Sequence, residues 1–126
     1  MGNLDEIIQF RFQRSNEALE EALLLFKSGH YNSTVNRLYY SAFYAVSALL
    51  LKDKIYSKSH SGLKSLFNEH LVKKERLGKE EAGIYNELFA YRQNADYKDL
   101  MIFSQEDVEP LIERTENFID EIKKLI

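Results

Sequence analysis

Two arginines stand on helix faces that are otherwise apolar, and a guanidinium in such a place needs an anionic or carbonyl partner. In 36–44, NRLYYSAFY, the residues Arg37, Tyr40, Ser41 and Tyr44 follow at three-, four- and seven-residue spacing, so a helix puts them on one face. In 85–97 the stripe Tyr85, Leu88, Phe89, Arg92, Ala95, Asp96 is interrupted by Arg92, with Asp96 four residues on and within reach of a local ion pair. The bland alternatives are a structural arginine among packed tyrosines and an intrahelical salt bridge. Two such interruptions in one small chain suggest instead that they meet or border a cleft. His60, in SKSHSG, is the third candidate: a helix start favours its neutral imidazole, as a local cap or as a base. His30 and His70 take no role. No His/Glu spacing fits a metal, no glycine-rich loop follows a strand and no nucleophile elbow is present, so no cofactor is expected.

The elements that must carry these residues are helices. Five glycines and one proline supply little turn material for a sheet, and β-branched alternation is absent. The spacing of apolar residues predicts helices over about 4–28, 32–54, 59–72 and 79–96, and a fifth from 104 to the end. Gly29 stands where a C-terminal cap glycine belongs, and Ser104 with Asp107 forms an N-terminal box. The second helix is apolar nearly all round (Leu38, Tyr39, Tyr40, Ala42, Phe43, Tyr44, Ala45, Val46), which places it at the centre of a bundle. Residues 73–79, KKERLGK, read as a solvated loop, and Pro110 as a possible kink in the fifth helix. The expected fold is all-α, an antiparallel up-and-down bundle of about five helices forming one domain over 1–126.

Composition narrows the function. With 44% hydrophobic and 29% charged residues the chain is globular, and it is large enough to bury a core without staples. It has no cysteine, hence no disulfide, thiolate metal site or thiol nucleophile. The longest apolar run, about 42–51, is too short for a bilayer, and the acidic start is no signal peptide. Glu6 stands where a myristoylated Gly2 would want Ser or Thr. The reading is a cytoplasmic protein without membrane contact. A net charge of −3 gives no bulk attraction for nucleic acid, so any such site is local.

RLYYSAFYA at 37–45, SHSG at 59–62 and RQNADY at 92–97 together resemble the HEPN domain, in particular its short stand-alone prokaryotic members. The resemblance implies a bundle of about five helices that dimerises, two copies forming one composite cleft. Many members cleave RNA without a metal, as toxins or defence nucleases, often beside a small nucleotidyltransferase. Their motif is an arginine, a polar residue, and a histidine after four to six positions. Arg92 matches that arginine, and Asn94 and Asp96 stand near the polar positions. The histidine window instead holds Tyr97, Lys98 and Asp99. A phenol with a pKa near 10 is a poor general base but can donate a hydrogen bond. The expected activity is therefore nucleotide, RNA or partner binding through Arg37, Tyr40, Tyr44, Arg92, Asn94 and Asp96, beside a nucleotidyltransferase in a toxin–antitoxin-like or defence pair. The alternative is a ribonuclease using Arg92 with His60 or Tyr97.

Overall fold

The computed structural model describes residues 2–97 and 102–126, with side chains 94–97 excluded, and every element in it is helical. The order is α1 (Gly2–Lys27), α2 (Tyr31–Lys52), α3 (His60–Phe67) continuing into a π-turn (Asn68–Val72), α4 (Lys79–Tyr97) and α5 (Gln105–Lys124). Gly29, at φ +79°, ends α1: its N–H donates to Phe26 and the His30 N–H donates to Leu25, the paired bonds of a Schellman cap. The short connection folds α2 back along α1. Small residues (Ser15, Ala18, Ala22 and, across from them, Ser41, Ala42, Ala45) are buried there. Ser15 Oγ donates to the Ser41 carbonyl at 2.7 Å and Ser41 Oγ returns the bond to the Ser15 carbonyl at 2.8 Å. Both hydroxyls are thereby satisfied away from water.

As its apolar circumference predicts, α2 packs against every other helix. Leu38, Leu49 and Leu50 of α2, Phe67 of α3, Tyr85 and Leu88 of α4, and Phe118 and Ile122 of α5 share one core. The capping box forms at α5: Ser104 Oγ accepts from the Asp107 N–H at 3.2 Å and the Asp107 carboxylate accepts from the Ser104 N–H at 2.9 Å. That second bond holds the Asp107 carboxyl below its ordinary pKa. The helix runs on through Pro110.

Two expectations about helix ends are corrected. The helix expected over 59–72 stops at Phe67, and its last turn widens to a π-turn. The cause is Asn68, whose side chain donates to the Lys64 carbonyl and exchanges two 3.1 Å bonds with Asn86 of α4. The wider turn lets that amide face α4. The loop expected after it is solvated from 73 to 78 except at Leu77, which is buried. Finally α2 ends at Lys52 rather than near 54, because Lys54 takes a positive φ of 62° and closes a cap onto Leu51.

Candidate functional site

His60 is the first residue of α3, and Ser59 fixes that start by accepting from the Gly62 N–H at 2.9 Å. The imidazole is thereby held over α2, its ring stacked on Phe43 at 4.5 Å and edge-on to Tyr40 at 5.8 Å. Its Nδ1 lies 2.7 Å from the hydroxyl of Tyr39. From α4, Arg92 reaches the same place: its guanidinium carbon sits 5.4 Å from the centre of the Tyr39 ring and 5.8 Å from that of Tyr40. A cation over the faces of two phenols is a favourable contact that leaves the N–H fork free for an anion. Among the described residues no carboxylate is within ion-pair distance of Arg92.

The electrostatics follow from this packing. Burial pushes Tyr39 up to about 12, against the opposing pull of the Arg92 charge, so its hydroxyl keeps its proton at any physiological pH. Burial likewise raises Tyr85, whose hydroxyl adjoins Tyr39 but makes no hydrogen bond of good geometry. The protonated Tyr39 hydroxyl and His60 Nδ1 share one 2.7 Å hydrogen bond, in which the imidazole tautomer decides which of them donates. Burial, and secondarily the Arg92 charge, lower the His60 pKa below its usual value, so the ring is neutral at pH 7. Arg92 and His60 thus stand beside one aromatic surface, formed by Tyr39, Tyr40 and Phe43.

A stability consequence can be measured. With the folded-state pKa of His60 lowered, the unfolded chain binds more protons around pH 6. Its contribution is full above about pH 6.5 and is lost as pH falls through the folded value. Urea unfolding of His60→Gln between pH 7 and pH 5 should show a shallower loss than wild type, and parallel curves would rule the histidine out as the cause.

The structure brings Arg92, His60 and Tyr40 together but moves two other candidates. Arg37 is not enclosed: its side chain is 30% exposed at the edge of α2, bonded to Asn36 Oδ1 at 3.0 Å and to Glu21 of α1 at 3.5 Å. It remains connected to the site because it lies over the same Tyr40 ring, at 4.8 Å. Tyr44 is one turn further on, beside Arg14 of α1, and does not meet Arg92. Ser41, expected on the same face as these, turns inward to α1. The side chains of Asn94, Asp96 and Tyr97 lie outside the described residues, as does the Arg92–Asp96 pair. Tyr39 is the residue that spacing missed: it reads as one more ring of an apolar helix, although a buried phenol needs a partner. A groove of about 740 Å³, lined by Glu80, Glu81, Asp120 and Glu121 with Arg114 and Lys124, lies at the other end of α4. Its acidic lining makes it a poor anion site, so the chemistry favours the Arg92 surface.

An arginine from α4 and a histidine from α3 thus converge on the paired tyrosines of α2. The chain belongs to the HEPN domain family, whose pattern matches residues 8–125. It is 40% identical over 126 residues to a "UPF0332 protein" of Thermotoga maritima, covering 100% of this chain and 96% of that one. It is 35% identical over 114 residues to "Putative toxin MJ0142" of Methanocaldococcus jannaschii, covering 90% of this chain and 78% of that protein. "Putative toxin MJ0605" of the same organism is 30% identical over 124 residues, 98% and 92% of the two chains. The module is thus a HEPN bundle with toxin-named relatives. No described helix is long and apolar enough to cross a membrane.

Proposed function

We propose that this HEPN domain binds the phosphate of an RNA or nucleotide between Arg92 and His60, without cleaving it. The observation that carries the reading is the 2.7 Å contact between Tyr39 and His60 Nδ1. In this reading Tyr39 donates to Nδ1, so that Nε2–H makes His60 a neutral donor beside a guanidinium that has no described carboxylate partner. Tyr40 and Phe43, both half-buried beside His60, add aromatic surface of the kind that nucleic-acid bases contact. Arg37, over the far part of Tyr40, adds a second cation for an adjacent phosphate. In this reading the protein works as a cytoplasmic homodimer beside a nucleotidyltransferase in a toxin–antitoxin-like pair, which accords with the toxin names of two relatives.

A metal-independent ribonuclease is the second reading. The placement of His60 beside Arg92 favours it, because the imidazole absent from the window after Arg92 is supplied from α3. It requires the opposite tautomer, with Nδ1–H donating to Tyr39 and a bare Nε2 taking the ribose hydroxyl proton. Incubating transfer and messenger RNA with wild type, His60→Ala and Arg92→Ala separates the two. The binding reading expects retention of intact RNA by wild type alone. Cleavage by wild type that His60→Ala abolishes would establish the ribonuclease.

A further inference from the structure

The outer surface of α1 divides sharply into two sides. One side presents only polar residues, among them Gln9, Gln13, Asn16 and Glu20. The other carries Ile7, Phe10, Arg14, Glu17, Glu21 and Leu24, in alternating steps of three and four, the spacing of a coiled-coil seam. Three of these are large apolar side chains left open: Ile7 is 45%, Phe10 58% and Leu24 65% exposed. The inward stripe of Ile8, Ser15, Ala18 and Ala22 faces the bundle, and the charged members of the second seam are paired within the chain, Arg14 with Glu17 and Glu21 with Arg37, whereas its three large apolar side chains stay open.

We propose that this face pairs with the same face of a second copy, the two α1 helices running antiparallel about a two-fold axis between residues 15 and 16. This rests on the homodimer of the preceding reading and names its contact surface. The pattern is self-complementary in that one register. Ile7 faces Leu24 of the other copy at both ends, Phe10 lies against the aliphatic stem of Glu21, and Arg14 meets Glu17 twice at the centre. A parallel alignment would set Arg14 beside Arg14 and Glu17 beside Glu17, which charge repulsion opposes. A two-fold contact requires this self-matching, whereas an unrelated partner does not. Arg14 is already oriented for it, held over the ring of Tyr44 at 5.5 Å, and Glu21 is paired with Arg37. The seam therefore runs along the edge of the Tyr40 surface, and Phe10 of the second copy is brought to the Glu21–Arg37 pair that borders it.

The chain has no cysteine, so engineered thiols report the register directly. Wild type should elute with twice its 14.8 kDa chain mass by light scattering. The double variant Ile7→Cys/Leu24→Cys, mildly oxidised, should give a covalent dimer on a non-reducing gel. The two positions are about 25 Å apart along one helix, so no bond can close within a chain. Leu24→Cys alone should stay uncrosslinked, since the two copies of that residue lie at opposite ends. Leu24→Glu, an exposed change that leaves the core untouched, should shift the protein to monomer. A wild-type monomer overturns the proposal, and so does a dimer in which the double variant fails to crosslink or Leu24→Cys alone crosslinks as well. These readouts use no ligand: a dimer with another interface would leave the Arg92 reading standing, and Arg92→Ala added to the double-cysteine variant should crosslink as that variant does.

Discussion

Replacing Arg92 with alanine should weaken binding of a short single-stranded oligoribonucleotide by about ten- to a hundredfold. A hydrogen bond to a charged group contributes about 1.5–3 kcal/mol, and each 1.4 kcal/mol is about a factor of ten in affinity. The slope of log affinity against log salt should also fall by about 0.7, the value for one phosphate contact on a single strand. Arg92→Lys should recover only part of the loss, because an ammonium keeps the charge but not the fork or the stacking on Tyr39 and Tyr40. The fold should survive all of these changes, since Arg92 contributes no described ion pair to it. Equal affinity of wild type and Arg92→Ala, measured by fluorescence anisotropy, would remove Arg92 from the site.

Phe118→Ala should cost the fold about 3–5 kcal/mol, a large share of the about 5–15 kcal/mol that holds a domain together. Phe118 is wholly buried where three helices meet, stacked on Tyr85 at 6.2 Å and edge-on to Phe67 at 5.8 Å. Tyr85 in turn stacks on Tyr39 at 6.2 Å, so a column of rings runs from the core to the site. Truncating its deep end opens a cavity that neighbouring aromatic rings cannot easily fill. Tyr85→Phe should behave oppositely and leave stability unchanged or slightly raised, because it deletes a buried hydroxyl that makes no well-formed hydrogen bond. Urea unfolding of both variants checks the contrast; comparable losses would mean that the Tyr85 hydroxyl is a structural partner of Tyr39.

Much of this architecture is legible in the sequence because helices declare themselves through local chemistry. The glycine at 29, the Ser104–Asp107 box and the apolar circumference of α2 each have one physical meaning, and the fold uses them so. The π-turn was not legible, since it depends on Asn68 meeting Asn86 across two helices. Arg37 was misplaced for a related reason. Helical spacing tells which residues share a face, not whether that face ends at an edge, and Arg37 sits where α2 meets α1 and solvent. The site was half legible. Arg92 and His60 stood out as residues of the wrong type for their surroundings, whereas Tyr39 was hidden by having the right one. Only the crossing of α2 and α3 brings that core tyrosine to the histidine's Nδ1.

The central claim is that His60 and Arg92 hold one anion, with His60 as donor. Nitrogen-15 NMR of the labelled imidazoles, with and without a ribonucleotide, tests it most directly. The account predicts that free His60 shows the Nε2–H tautomer with a pKa below its ordinary value, and that binding raises this pKa in wild type but not in Arg92→Ala. A His60 that carries its proton on Nδ1, or whose titration is unmoved by ligand, would contradict it.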